Sequence, residues 1–168
     1  TGNLSNASLY VDYIYLDTEE RRRFAQISHE YLIEQLQFTG EESISGSSNR
    51  VKLNFNHPVK ELIWVCQDSA LEASNFADSG AVNPCENAKL QLNGHDRFSQ
   101  RDGSYFNIVQ PFQHHSNIPA TGINCYSFAL KPEEQQPSGS ANMSRIDNAT
   151  LQLQVSSLMT STLGSAVV

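Results

Sequence analysis

The chain has 168 residues, 39% of them hydrophobic and 17% charged, with a net charge of −7 at pH 7. That balance excludes a disordered polymer and fits a loop-rich chain that buries one substantial core. It also argues against direct nucleic-acid binding, which needs a basic footprint, and no apolar run approaches the roughly 18–20 residues that span a bilayer. The opening TGNLSNAS has no signal-peptide pattern and reads as a cut from a longer polypeptide.

Residues 9–16 alternate as a strand, with Leu9, Val11, Tyr13 and Tyr15 on one face and Tyr10, Asp12, Ile14 and Leu16 on the other. Both faces are largely apolar, so the strand is expected between two layers. Asp17 and Thr18 then offer a helix start, and Glu19 and Glu20 fall in its first turn, where the helix dipole favours carboxylates. An apolar stripe at Phe24 and Ile27 extends the helix two or three turns. Over 30–38 the periodicity fits either more helix or a new strand. The stretch as a whole reads as a strand–helix–strand joint with the helix outside the sheets.

Beyond it, 39–48 is a polar Gly/Ser-rich loop. Residues 51–57 alternate cleanly, with Val51, Leu53 and Phe55 inward and Lys52, Asn54 and Asn56 outward. Pro58 stops that ladder because it has no N–H to donate. The run 62–66, LIWVC, reads as a central strand with Trp64 as a core anchor. Residues 68–88 form the longest irregular stretch, the kind of loop that serves a function when it occurs inside a compact domain. Leu90 and Leu92 mark a short strand that ends at the Asn93-Gly94 turn signal.

From 94 to 115 an irregular excursion is expected, pinned to the core by Phe98, Tyr105, Phe106 and Phe112. Residues 123–130 read as a strand with Tyr126, Phe128 and Leu130 on one face, and 131–140 as a loop. Residues 149–155 are the cleanest strand, with Ala149, Leu151, Leu153 and Val155 inside and Thr150, Gln152 and Gln154 outside. The tail from 156 is polar with scattered apolar residues. Short strands joined by long turn-rich links argue an all-β antiparallel sandwich or jelly roll.

Several residues invite a chemical reading. The adjacent pair His114-His115 suggests a metal site, but neighbouring residues on a strand point to opposite faces, and no second half of a ligand set is apparent. No Gly-x-Ser-x-Gly elbow, Cys–His pair or phosphate-cradling Gly loop occurs. Asp96 and Asp102 around Arg97 and Arg101 resemble an acid/base pair, and at that spacing in a turn-rich loop they are expected to close the loop as charge pairs. Cys66, Cys85 and Cys125 form no short-spaced pair, which favours reduced, packed thiols in a cytosolic setting over a disulfide framework. Four Asn-x-Ser/Thr sequons, at Asn3, Asn6, Asn142 and Asn148, matter only in a secreted protein.

Arg21, Arg22 and Arg23 sit among Asp17, Glu19 and Glu20, so the patch is close to neutral and steers nucleic acid weakly. A structural role is expected instead: one Arg reaches back to Asp12 or Asp17 as a bidentate clamp.

Long stretches of the chain carry a resemblance. DYIYLDTEERRRFA followed by HEYLIEQLQ, then GHDRFSQRDGSYFNIVQPFQHH, INCYSFALKPEEQQPSG and SRIDNATLQLQV, resemble the major capsid proteins of large icosahedral double-stranded DNA viruses, most closely those of iridoviruses. The resemblance implies a chain of two jelly-roll barrels. Residues 1–16 would then end the first barrel, 17–30 would be the inter-barrel linker with its short helix, and 31–168 would form the second barrel without its final strand or strands. Asp12, Asp17, Arg21, Arg22 and Arg23 would belong to the linker, and Trp64 to the core.

It further implies a structural, non-enzymatic protein with no catalytic residues, cofactor or metal. Homotrimers would form pseudo-hexagonal capsomers that tile an icosahedral shell in the virion, assembled in the host cytoplasm. Partners would be neighbouring capsomers, minor capsid proteins and an inner viral membrane, with no direct nucleic-acid contact. The rival class is a carbohydrate-binding jelly-roll module in which Tyr105, Phe106 and Phe112 stack on sugars. A cupin-like metalloenzyme comes third.

Overall fold

The computed structural model describes residues 6–68, 76–77, 82–157 and 164–168, and the chain divides into two compact units, 1–36 and 37–168. Among the described residues of the first unit the one regular element is helix α1 (Thr18–Gln26). Asp17 caps it by accepting the Glu20 N–H at 2.9 Å, and the Ile27 N–H closes its end on the Arg23 carbonyl at 3.1 Å. Glu19 and Glu20 lie at the positive end of the dipole and Arg23 at the negative end. This is the helix start the sequence announced.

The strand expected over 9–16 differs. Its backbone makes no ladder among the described residues, and Leu9, Tyr10, Ile14 and Tyr15 are exposed. A strand is stabilised only by a neighbour that takes its N–H and C=O groups, and no described residue supplies one. Residues 27–36 carry neither helix nor strand, though His29 fixes the local path by reaching the Phe24 carbonyl at 2.8 Å and stacking on Phe24.

The second unit is an antiparallel jelly-roll sandwich. One sheet orders β1 (Glu41–Ser43), β11 (Gly164–Val167), β4 (Glu61–Asp68) and β8 (Ile123–Ser127). The facing sheet orders β2 (Ser48–Leu53), β10 (Ala149–Val155), β5 (Cys85–Leu92) and β6 (His95–Asp96), with β7 (Arg101–Asp102) also on β5. A two-residue ladder joins β3 (Pro58–Val59) to β9 (Ala141–Asn142).

Register explains the core. Leu151 lies opposite Val51 on one side and Leu90 on the other, and all three are buried. On the other face of the same strands, Gln152 donates to Gln91 at 2.5 Å, while Gln154 accepts from Asn87 and Gln100. The alternation of 149–155 therefore separates an apolar core from an amide ladder, as the period of two requires. From the other sheet, Leu62, Trp64, Cys66 and Tyr126 join the same core.

Several elements depart from the sequence reading. A strand stands at 41–43 inside the expected polar loop, and another at 164–167 inside the polar tail, each paired with the other. β5 begins at Cys85, because Asn83 accepts the Cys85 N–H and starts the ladder early. β8 ends at Ser127, where both the Phe128 and Ala129 N–H groups turn onto the Lys60 carbonyl. Finally, the 94–115 excursion is largely regular, with β6, β7, a π-helical turn (Tyr105–Val109) and helix α2 (Gln110–His114). The Asn93-Gly94 turn is present, both residues having positive φ, 50° and 81°.

Candidate functional site

A group of polar side chains converges where α2 meets the end of the β4–β8 pair. Leu62, Trp64 and Cys66 of β4 face the core, which sends Glu61 and Ile63 to the other face. Cys125 of β8 stands directly opposite Ile63 and so shares that face. The chain then brings a third group. His115 caps α2 in an extended conformation, its N–H bonded to the Pro111 carbonyl at 2.8 Å.

That change from helix to extended backbone separates the two adjacent histidines. The Nδ1 of His114 lies 2.9 Å from the Leu130 carbonyl oxygen, whereas the imidazole of His115 lies between two carboxylates. Its Nε2 is 2.6 Å from Glu61 Oε1 and its Nδ1 3.2 Å from Glu133 Oε1. Glu133 is itself held, since its Oε2 accepts from both the backbone N–H (3.0 Å) and the hydroxyl (2.5 Å) of Ser116.

The electrostatics follow from that geometry. Burial pulls the His115 pKa down, but the bonds and charges of Glu61 and then Glu133 outweigh it and hold it above the ordinary value. The Ser116 donors, and after them His115, keep Glu133 below the usual carboxylate range. Cys125 is 4% exposed, and burial, with the Glu61 charge beside it, pushes its thiol far up. A thiol held protonated is a poor nucleophile. Glu61, His115 and Cys125 nevertheless present ligand atoms that all lie within 4.8 Å of one another.

A second group sits inside the core. Cys66 and Cys85 meet across the sandwich with Trp64, and the Cys85 sulfur and then burial hold the Cys66 thiol well above its ordinary range. All three cysteines are free and buried.

The residues singled out from sequence fall as follows. Trp64 is 1% exposed, with its ring against Phe106. Asp17 is occupied as the helix cap, and Arg22 pairs with Glu19 at 2.9 Å. No ion pair joins Asp12 or Asp17 to Arg21, Arg22 or Arg23 among the described residues. Asp96 does not pair with Arg97 but takes Lys89 at 3.2 Å and Gln91 at 2.6 Å, the groups opposite or beside it on β5. Asp102 binds Ser104, and Arg101 lies over the Tyr105 ring, 5.3 Å from its centroid.

The aromatic platform for sugars does not form, because Phe106 is fully buried while Phe112 is 77% exposed, so the two offer no common surface. Sequence reasoning passed over Glu61 and took Cys125 only for a reduced, packed thiol. Their one sequence signal is phase: each sits out of step with the core-facing residues of its strand, a carboxylate and a thiol where the outer face carries Ile63.

A family model of the large eukaryotic DNA virus major capsid protein matches residues 20–167. The chain is 57% identical over 175 residues to the major capsid protein of Pyramimonas orientalis virus, covering 90% of this chain and 42% of that protein. A quasi-atomic structure of the PBCV-1 virus capsid matches with a TM-score of 0.75 at 37% identity, covering 92% of this chain and 51% of the other. The major capsid protein of Tipula iridescent virus is 27% identical over 173 residues, 91% of this chain and 37% of that protein. The iridovirus likeness is therefore real but weaker than that to the Pyramimonas virus protein. The chain spans about half the length of the relatives it matches.

Proposed function

This chain belongs to the family of large eukaryotic DNA virus major capsid proteins, and on that premise we propose that it is part of a structural subunit of an icosahedral virion shell. The observation that carries the reading is the 37% identity and 0.75 TM-score to the PBCV-1 capsid over 92% of the chain. Residues 1–16 close one jelly-roll barrel, 17–30 link it to the next, and 31–168, which include the sandwich of the second unit, form the second barrel. Two similar barrels per chain give a homotrimer six near-equivalent sides, which pack on a hexagonal lattice with other trimers.

In this reading the exposed apolar side chains of 9–16 find their strand partners in the rest of the first barrel. Arg21 and Arg23, left over once Arg22 has taken Glu19, contribute the Arg–carboxylate contacts that set the angle between the barrels. Neighbouring capsomers, minor capsid proteins and an inner membrane are the partners, and assembly takes place in the host cytoplasm.

The test is to express the full-length protein and measure its mass in solution by light scattering, with electron microscopy of the particles. Trimers of pseudo-hexagonal outline are expected. A stable monomer that never assembles at high concentration overturns the reading.

A further inference from the structure

We propose that Glu61, His115 and Cys125 form a binding site for one zinc-class divalent metal ion, with Glu133 as the residue that orients His115. The inference is independent of shell assembly and rests on how three separate elements deliver their side chains. Glu61 opens β4, Cys125 lies on the paired strand β8, and His115 is fixed as the cap of α2. One donor atom from each lies within 4.8 Å of the others. An imidazole, a thiolate and a carboxylate form a mixed donor set suited to zinc and unsuited to calcium or magnesium, which take oxygen ligands. Three protein ligands leave the fourth tetrahedral position to water.

Glu133 strengthens the case. A metal-binding imidazole usually donates its other ring N–H to a carboxylate, which fixes the tautomer and the ring plane. Glu133 Oε1 stands at His115 Nδ1, while Ser116 occupies its Oε2 with two donors and holds it in place. With the Nδ1 proton directed to Glu133, release of the Nε2 proton that Glu61 accepts would leave the Nε2 lone pair facing Glu61 and Cys125.

The Nε2 to Oε1 distance is 2.6 Å, and two ligands of one tetrahedral ion lie about 3.3 Å apart. Glu61 and His115 must therefore part by under about 1 Å to admit the ion. Access is compatible with this, since the side chains of His115 and Glu61 are 19% and 11% exposed above the buried Cys125. On binding, the Cys125 thiol gives up its proton to solvent, and so does Nε2 if it carries one. The thiolate and the Glu61 carboxylate then balance the two charges of the ion. The ion would tie β4, β8 and α2 together, and through Glu133 the loop after β8.

The experiment equilibrates the chelator-treated full-length protein with zinc alone, and in parallel with cobalt(II) alone, followed by dialysis and metal analysis. One zinc per chain is expected. Cobalt should give the ligand-field bands of a tetrahedral site and a thiolate-to-cobalt charge-transfer band in the near ultraviolet. Cys125→Ser should abolish that band, and Glu133→Gln should weaken zinc binding by about 10–100-fold. Circular dichroism of the metal-free variants reports whether they fold. If Cys125→Ser does not fold, the cobalt spectrum of the unaltered protein decides alone. Failure to take up zinc stoichiometrically, uptake without the charge-transfer band, or uptake unchanged in a folded Cys125→Ser protein overturns the site.

Discussion

Trp64 and Phe106 hold their ring centroids 5.1 Å apart with their planes inclined at 60°, joining the central strand β4 to the π-helical turn that follows β7. Phe106 also meets Phe98 at 5.6 Å and Tyr105 edge-on at 5.1 Å, and Phe98 continues to Tyr126 at 4.7 Å. Trp64→Ala and Phe106→Ala should each cost about 3–5 kcal/mol in the full-length protein. A double-mutant cycle should give a coupling of about 0.5–1.5 kcal/mol, as a tilted aromatic pair does. Trp64 is the one tryptophan of these 168 residues, and in this chain taken by itself its fluorescence should be blue-shifted in the folded state. A red, readily quenched spectrum would contradict the burial.

Gly103 is where backbone meets backbone. A Cβ built there would stand 1.8 Å from the Cys85 carbonyl oxygen, an atom fixed in the ladder of β5. Neither group can yield without moving a strand, so Gly103→Ala should destabilise by about 3 kcal/mol or more. Gly94 gives the contrast. Nothing lies within 4 Å of its added Cβ, and only its φ of 81° opposes a side chain, so Gly94→Ala should cost about 1–2 kcal/mol. Denaturant melts of the two variants should differ in midpoint in that order. Equal losses would mean that the approach of Gly103 to Cys85 carries no steric weight.

Sequence periodicity revealed those parts of the fold where one side chain decides one position. Leu151 and Leu153 alternate with Gln152 and Gln154, so the strand and its buried face were both legible. Asp17 before Glu19 and Glu20 was equally local, because a helix cap is set within four residues. The strands at 41–43 and 164–167 were not legible. They pair with each other across more than a hundred residues, and Glu-Glu-Ser and Gly-Ser-Ala-Val show no period of two in hydrophobicity. The His115 cluster lay beyond reach for a related reason. Reading His114 and His115 as strand neighbours sends them to opposite faces, whereas the end of α2 turns only His115 toward Glu61, which lies 54 residues away in the chain.

Asn124 tests how much a buried amide contributes between β8 and the residues that lead into β5. It is fully buried, accepts from Asn83 Nδ2 at 2.6 Å and donates to the Gly122 carbonyl at 3.1 Å. Asn83 in turn accepts the Cys85 N–H that begins β5. Asn124→Ala removes the shorter of two bonds from Asn83 Nδ2 and leaves it only the Gly103 carbonyl at 3.3 Å, so a loss of about 1–3 kcal/mol is expected. Hydrogen exchange should show the Cys85 amide opening more readily than in the unaltered protein. Unchanged protection there would mean that the Asn83–Asn124 bond does not position the strand.

The three arginines of α1 should respond unequally. Successive helical residues point about 100° apart, so Arg21, Arg22 and Arg23 cannot serve one partner together. Arg22 is committed to Glu19 on an exposed surface, and an exposed pair of this kind contributes about 0.2–1 kcal/mol, which Lys reproduces. Arg22→Lys should therefore leave melting temperature and capsomer assembly unchanged. Arg21 and Arg23 are the residues proposed to reach a carboxylate in the neighbouring barrel. There the guanidinium makes two parallel bonds that an ammonium cannot. At least one of Arg21→Lys and Arg23→Lys should lower the melting temperature of the full-length protein or the yield of assembled capsomers. DNA affinity should stay negligible at low and high salt for all three, because Glu19, Glu20 and Asp17 neutralise the patch. If all three substitutions are tolerated, or if tight salt-dependent DNA binding appears and is lost on mutation, the arginines do not clamp the barrels.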